Sequence, residues 1–281
     1  AYEIPEVSRF RVNTFRHLNG IGAILRAIPS KALTLEELDM PRSIHDLCKN
    51  TQGMILVTGK TGSGKSTTLA AMIDAMNKRL KGHILTIEDP IEFVHKAQGC
   101  LISQREIGVH SNGFAEALHS ALREDPDVVL VGEMRDLETI SIAVTAAEMG
   151  ILVMGTLHTN GAAPTIDRII NSFPADKQSH IRTMISTSLK GVVSQQLLPT
   201  IHKPGRAAAL EVMINTSAVA NLIRQGKLDQ IETAMQSGGG IGMKTMDNAL
   251  MDLVEKGWIS GMEAYLQANN KAKFESVKEI E

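Results

Sequence analysis

The sequence predicts an α/β protein: a mostly parallel sheet covered by helices on both faces, followed by a helical region and preceded by a short stretch of different texture. Three observations lead there. Runs such as Met54-Ile55-Leu56-Val57 and Val128-Val129-Leu130-Val131 are apolar at every position, as strands are when both faces are buried. Helical stripes separate them: Phe114, Ala117, Leu118, Ala121 and Leu122 recur at i, i+3, i+4, i+7, i+8. The first run passes through a glycine-rich turn straight into a helical stretch.

Taken in order, Arg9 to Arg16 alternates polar and apolar residues, the pattern of a half-exposed strand. It is too short to be a domain and reads as the tail of one, over residues 1–30. Over the first 31 residues the bases Arg9, Arg11, Arg16, Arg26 and Lys31 outnumber Glu3 and Glu6. Gly20, Gly22, Pro29 and Pro41 punctuate a connection, with a linker placed at 31–43. Thr34 and Glu37 carry a capping-box spacing that predicts a short helix. An α/β core is predicted over 44–215. It holds strand Met54–Val57, a helix from Ser66 to about Leu80, strand His83–Ile87 and the Phe114–Leu122 helix. Strand Val128–Val131, a helical stripe on Leu137, Ile140, Val144 and Ala147, and strand Ile151–Met154 follow. Beyond Ala163 the texture is mostly helical, and 216–281 reads as a helical subdomain with a stripe on Met246, Ala249, Leu250, Leu253 and Val254. Gly238–Gly242 lacks strand and lysine context and reads as a flexible loop.

Composition narrows the function classes. With 281 residues, 43% apolar and 21% charged, the chain reads as soluble and globular with one or two domains. A net charge of −2 gives no global field for nucleic acid, and 3% aromatics leaves few stacking platforms for single strands. Cys48 and Cys100 form no C-x-x-C, so neither a zinc ribbon nor a disulfide framework is supported, and reduced thiols in a cytosolic protein are expected. No apolar run approaches the ~18 residues of a membrane span, and no signal peptide is visible.

The chemistry concentrates at strand ends, where open parallel sheets bind ligands. Gly59, Lys60, Thr61, Gly62, Ser63, Gly64, Lys65 and Ser66 match G-x-x-x-x-G-K-[ST] in full, with Thr67 directly behind. Glycines let successive N–H groups converge on an anion, and the helix N-terminus adds positive potential. Lys65 can then reach the β- and γ-phosphates of ATP, and the Ser66 hydroxyl can ligate Mg²⁺. The second strand end is Glu88-Asp89-Pro90-Ile91-Glu92, three carboxylates within five residues. Near a nucleotide, one can hold metal or water and one can take a proton from the attacking water. The third, Asp127 to Glu133, holds an apolar strand ending in an acid that can support Mg²⁺ directly or through water. The fourth is Gly155-Thr156-Leu157-His158-Thr159, whose imidazole can contact a γ-phosphate.

These strings, in this order, resemble the phosphate loop, aspartate box, atypical Walker B and histidine box of the type II/type IV secretion ATPases, over Arg9 to about Ala264. The likeness is nearest the pilus-retraction branch. There is no tetracysteine zinc element, and Ala218 to Gln225 is similar to the retraction signature, departing at three places, most visibly at Ala220 where the family has Arg. The resemblance implies a RecA-like P-loop NTPase core with a C-terminal helical subdomain and the remnant of an N-terminal PAS-like α+β domain, most of which the chain would lack. It further implies ATP hydrolysis with Mg²⁺, Glu92 as catalytic base, Glu133 holding the metal through water, and Glu88 and Asp89 assisting. His158 would sense the γ-phosphate, and Arg9, Arg11 and Arg16 would act in trans within a homo-hexameric ring. The implied partners are an inner-membrane pilus platform protein and a paralogous retraction ATPase, with the chain cytoplasmic and peripheral at that membrane. Pilus assembly, type II export and a non-hydrolysing accessory role are the alternatives.

Overall fold

The computed structural model describes residues 2–4, 7–28, 31–202 and 204–279; Pro29 and Glu6 lie outside the described residues. Strands β1 (Tyr2–Ile4), β2 (Ser8–His17) and β3 (Gly20–Ile28) form an antiparallel sheet of their own. Register pairs Tyr2 with Phe10, Val12 with Leu25 and Arg11 with Arg26. Alternation therefore puts Phe10, Val12 and Arg16 of β2 on one face and Arg9, Arg11 and Phe15 on the other. Thr34 and Glu37 do form the reciprocal capping box, each backbone N–H donating to the other's side chain at 2.7 and 3.1 Å. The box closes a turn over Leu35–Asp39 rather than a helix.

The rest of the chain winds around a seven-stranded sheet. Its elements are α1 (Arg42–Leu47), β4 (Gly53–Thr58), α2 (Lys65–Arg79), β5 (His83–Glu88), β6 (Leu101–Glu106) and α3 (Phe114–Ala121). Then come β7 (Val128–Val131), α4 (Leu137–Glu148), β8 (Leu152–Leu157), α5 (Ala162–Asn171), α6 (Ala175–Ser188), β9 (Leu189–Pro199) and β10 (Arg206–Ile214). Helices α7 (Ser217–Gln225), α8 (Ile231–Ser237), α9 (Met246–Glu255) and α10 (Gly261–Gln267) close the chain, and Gly239–Ile241 is a turn of 3-10 helix.

Strand order is β10-β9-β4-β8-β7-β5-β6, parallel throughout except for the β9–β10 hairpin. On β4, Met54 and Leu56 enter one core with α3 to α8, while Ile55 and Val57 enter the other with α1 and α2. A strand buried on both faces must be apolar at every position. A third, smaller core gathers Leu198, Ala207 and Ala209 against α9 and α10.

The mostly helical reading after Ala163 is corrected in one respect: two long strands, β9 and β10, stand between α6 and α7. Arg206–Ile214 is rich in Ala, Leu, Glu and Met, which favour helix, and pairing with β9 overrides that local preference.

Candidate nucleotide-binding site

Four adjacent parallel strands, β4, β8, β7 and β5, bring their carboxyl ends to one edge of the sheet. At about 4.8 Å per strand, three steps separate the outer two by roughly 14 Å, a distance a triphosphate and its flanking groups can bridge. This topology converges the motifs that lie far apart in sequence.

The loop after β4 turns with positive φ at Gly59, Gly62 and Gly64 (140°, 80° and 90°). A Cβ on Gly59 would lie 2.3 Å from the Gln195 carbonyl oxygen, and one on Gly64 would lie 2.7 Å from Gln195 Nε2. Glycine is required here both for the turn and for the closeness of β9. Lys65, the first residue of α2, is buried and donates from Nζ to the carbonyls of Gly59 and Lys60 at 2.8 and 3.0 Å. Burial lowers its pKa, and the charges of Glu133 and Glu92 oppose that, so both carboxylates act on this ammonium. Among the described residues, Ser63 Oγ is buried with no hydrogen-bond partner. An orphaned hydroxyl, converging N–H groups and a cation resting on carbonyls fit a polyphosphate. Ser66 is exposed at the head of α2, suited to a metal ion beside such a group.

The acids differ sharply in role. Glu88 is inward: Oε1 accepts from Thr86 Oγ1 at 2.7 Å and Gln104 Nε2 at 3.4 Å, and Oε2 accepts from the Glu92 N–H at 3.4 Å. Burial raises its pKa despite these bonds. It braces the turn that carries Glu92, while Asp89 is exposed at the tip. Glu133 follows Gly132, whose N–H donates to Ile87 O at 2.7 Å. Its Oε1 lies 3.0 Å from His158 Nε2 and is paired with Arg135. Burial is the largest influence on Glu133 and raises its carboxyl. Arg135, His158 and Lys65 together outweigh it and hold the group below the usual carboxylate range. A cleft of about 420 Å³ opens beside Glu133, Arg135, His158, Thr159 and Arg168.

The bases of the N-terminal sheet separate. Arg9 reaches the aspartate-box turn of its own chain, donating to Ile91 O at 3.3 Å and pairing with Glu106 at 3.4 Å. Arg11 and Arg16 are exposed on β2.

Sequence reading missed Ser194 and Gln195. Gln195 Oε1 accepts from Thr68 Oγ1 at 2.7 Å, bracing α2, and Ser194 Oγ accepts from the Gly161 N–H at 2.9 Å, bracing the segment after the histidine box. The available signal is polar residues inside the apolar stretch Val192–Leu198. Gln195 also lines a second cleft of about 580 Å³ beside Gly64 and Thr67, walled by Leu38, Met40 and Trp258.

A parallel sheet with a lysine-bearing phosphate loop on one strand end and acids on neighbouring ends defines a RecA-like P-loop nucleotide-binding protein. The chain belongs to the type II/IV secretion system protein family, whose model matches residues 2–257. It is 56% identical over 260 residues to the type IV pilus retraction ATPase PilT of Pseudomonas aeruginosa, covering 92% of this chain and 75% of that protein. A twitching motility protein of Neisseria gonorrhoeae is 54% identical over 270 residues, covering 96% and 72%. A crystal structure of the pilus retraction motor PilT with bound ADP superposes with a TM-score of 0.91 at 44% identity, covering 97% of this chain and 77% of that one.

Proposed function

We propose that this chain is an ATP-hydrolysing motor that powers type IV pilus retraction, and hence twitching motility. The observation that carries the reading is the action of both Glu133 and Glu92 on the charge of the phosphate-loop Lys65, with His158 at 3.0 Å from Glu133. A relative bearing the retraction name and another named for twitching motility, both at over half identity, support the output.

The N–H groups of Gly59 to Thr67 grip the polyphosphate, and Lys65 exchanges its two carbonyl partners for phosphate oxygens. Ser66 and Glu133 are the residues that would hold Mg²⁺, with Asp89 assisting. That ion, when bound, neutralises charge on the phosphate oxygens. Glu88 fixes the turn so that Glu92 orients the attacking water and accepts its proton. His158, held by Glu133, senses the γ-phosphate and its loss. The base end of the nucleotide occupies the cleft walled by Leu38, Met40 and Trp258.

The working form is a homo-hexameric ring, cytoplasmic and peripheral at the inner membrane, acting on a pilus platform protein alongside a paralogous ATPase. Arg9 is engaged within its own chain, so the trans role falls to Arg11 and Arg16. Residues 1–30, 31–43, 44–215 and 216–281 are its proposed units. Among the described residues, no helix is long and apolar enough to cross a membrane.

The test measures ATP binding and phosphate release. Glu92→Ala keeps ATP affinity and loses about 10²-fold or more in turnover, whereas Lys65→Ala loses both. Unchanged turnover in Glu92→Ala removes the base assignment. Hyperpiliated, non-twitching deletion cells indicate retraction, and bald cells indicate assembly.

A further inference from the structure

Helix α5 begins four residues after His158, and its N-cap is Gly161, which has no side chain to offer. The N–H groups at its head are satisfied from the sheet instead. Ser194 on β9 and Glu211 on β10 sit directly opposite each other in the ladder. Ser194 Oγ takes the Gly161 N–H at 2.9 Å, and Glu211 Oε1 takes the Ala162 N–H at 2.7 Å. The other oxygen of Glu211 accepts the Met246 N–H, at the head of α9, at 3.1 Å.

One carboxyl group thus bridges the first turns of two ten-residue helices. Glu211 is 6% exposed. A carboxyl at that depth is costly unless its oxygens are engaged, and two helix N-termini supply both donors and positive potential. The chain of bonds runs on in both directions. On the nucleotide side, Thr165 in α5 donates to Gly161 O at 2.7 Å and lies 2.6 Å, hydroxyl to hydroxyl, from Thr159, the neighbour of His158. Its hydroxyl is also 3.5 Å from that of Thr58, the last residue before the phosphate loop. On the far side, Asp247, next to Met246, is 2% exposed and accepts the N–H groups of Asn269 and Asn270 at 2.8 and 2.9 Å.

We propose that Glu211 is a positioning residue that sets the His158 segment for catalysis and couples nucleotide at the site to the C-terminal helices α9 and α10. It rests on the ATPase reading above. A γ-phosphate that draws His158 and Thr159 inward shifts the head of α5, and because one rigid carboxylate holds both helix heads, α9 shifts with it. Coupling of this kind is reciprocal: a load on the C-terminal helices alters nucleotide affinity by the same factor.

The experiment measures steady-state ATP turnover and backbone hydrogen exchange over 246–255, with and without a non-hydrolysable ATP analogue, on the full chain. In the wild type the analogue changes exchange in α9. Glu211→Gln places an NH₂ donor against one helix head. It is expected to lower kcat about ten-fold or more with KM within about two-fold, and to abolish the α9 response. Ser194→Ala loses the α5 contact only, and is expected to lower kcat while keeping the α9 response. Thr245→Ala removes the side-chain cap of α9, an N–H bond from Asn248 at 3.3 Å, and is expected to leave kcat unchanged. Glu211→Gln with kcat within two-fold and an intact α9 response overturns the proposal, as does Thr245→Ala matching its kinetic defect. Should Glu211→Gln fail to fold, an undiminished kcat in Ser194→Ala overturns the positioning role. A wild-type chain without ATP turnover removes the ATPase reading instead, so the two failures are told apart.

Discussion

Glu133 shows how a single carboxylate is tuned by its neighbours. Arg135, His158 and Lys65 favour its ionised form strongly enough to outweigh burial, so its folded-state pKa lies below the unfolded one. A carboxylate of that kind contributes stability that is present above its unfolded pKa of about 4.3 and is lost as pH falls through the lower folded value. The difference in melting temperature between wild type and Glu133→Gln is therefore expected to shrink as pH is lowered from about 6 toward 3. Thermal melts across that range check it, and a difference that does not change with pH would contradict the pairing. Glu88 lies only a strand away yet goes the other way, raised by burial, because its partners are Thr86, Gln104 and a backbone amide rather than full cations. Three acids that look alike in Glu88-Asp89-Pro90-Ile91-Glu92 are thus a brace, an exposed tip and a half-buried group facing the lysine.

At the level of elements, what could be read from the sequence depended on whether burial left a periodic trace. Strands β4, β7 and β8 are buried on both faces and announce themselves as unbroken apolar runs. The phosphate loop and the acidic and histidine strand tips were legible for the same reason: each sits where such a run stops. Strand β6, with Ser103, Gln104 and Arg105 in its middle, is an edge strand and carries no such run. Strands β9 and β10 were hidden because Ser194, Gln195 and Glu211 are buried polar residues serving the site, which breaks the apolar pattern at the positions that matter most. Helix α7 is the converse case. Its sequence was legible as a likeness to the retraction signature, and the structure shows which residues seat it: Val219 and Ile223 are fully buried, with Leu222 only partly covered. Ile223→Ala is expected to cost about 2–5 kcal/mol in chemical denaturation, and Arg224→Ala, at an exposed position, within about 0.5 kcal/mol. Equal costs would mean that α7 is not seated on the core by that face.

Across the whole molecule, the N-terminal sheet and the nucleotide-binding body meet through Arg9. Its guanidinium spans the aspartate-box turn and Glu106 at the end of β6, so the stance of the small sheet depends on the same turn that presents Glu92. Arg9→Ala is expected to speed protease cleavage in the 31–41 connection several-fold while leaving the melting temperature of the body unchanged. Limited proteolysis alongside thermal melts separates this from general destabilisation.

The β9–β10 hairpin has a mechanical consequence. Pairing between β4 and β9 stops at Thr58 and Ser194, while β9 runs on to Pro199, still joined to β10. The free length beyond Ser194 overhangs the phosphate loop like a cantilever, touching it through Gln195 and carrying the third core near its outer end through Leu198. Five residues at about 3.4 Å each make an arm of roughly 17 Å, so a tilt of about 5° at its root displaces the outer end by roughly 1.5 Å. The strand that packs against the phosphate loop is thereby also the arm on which α9 and α10 ride.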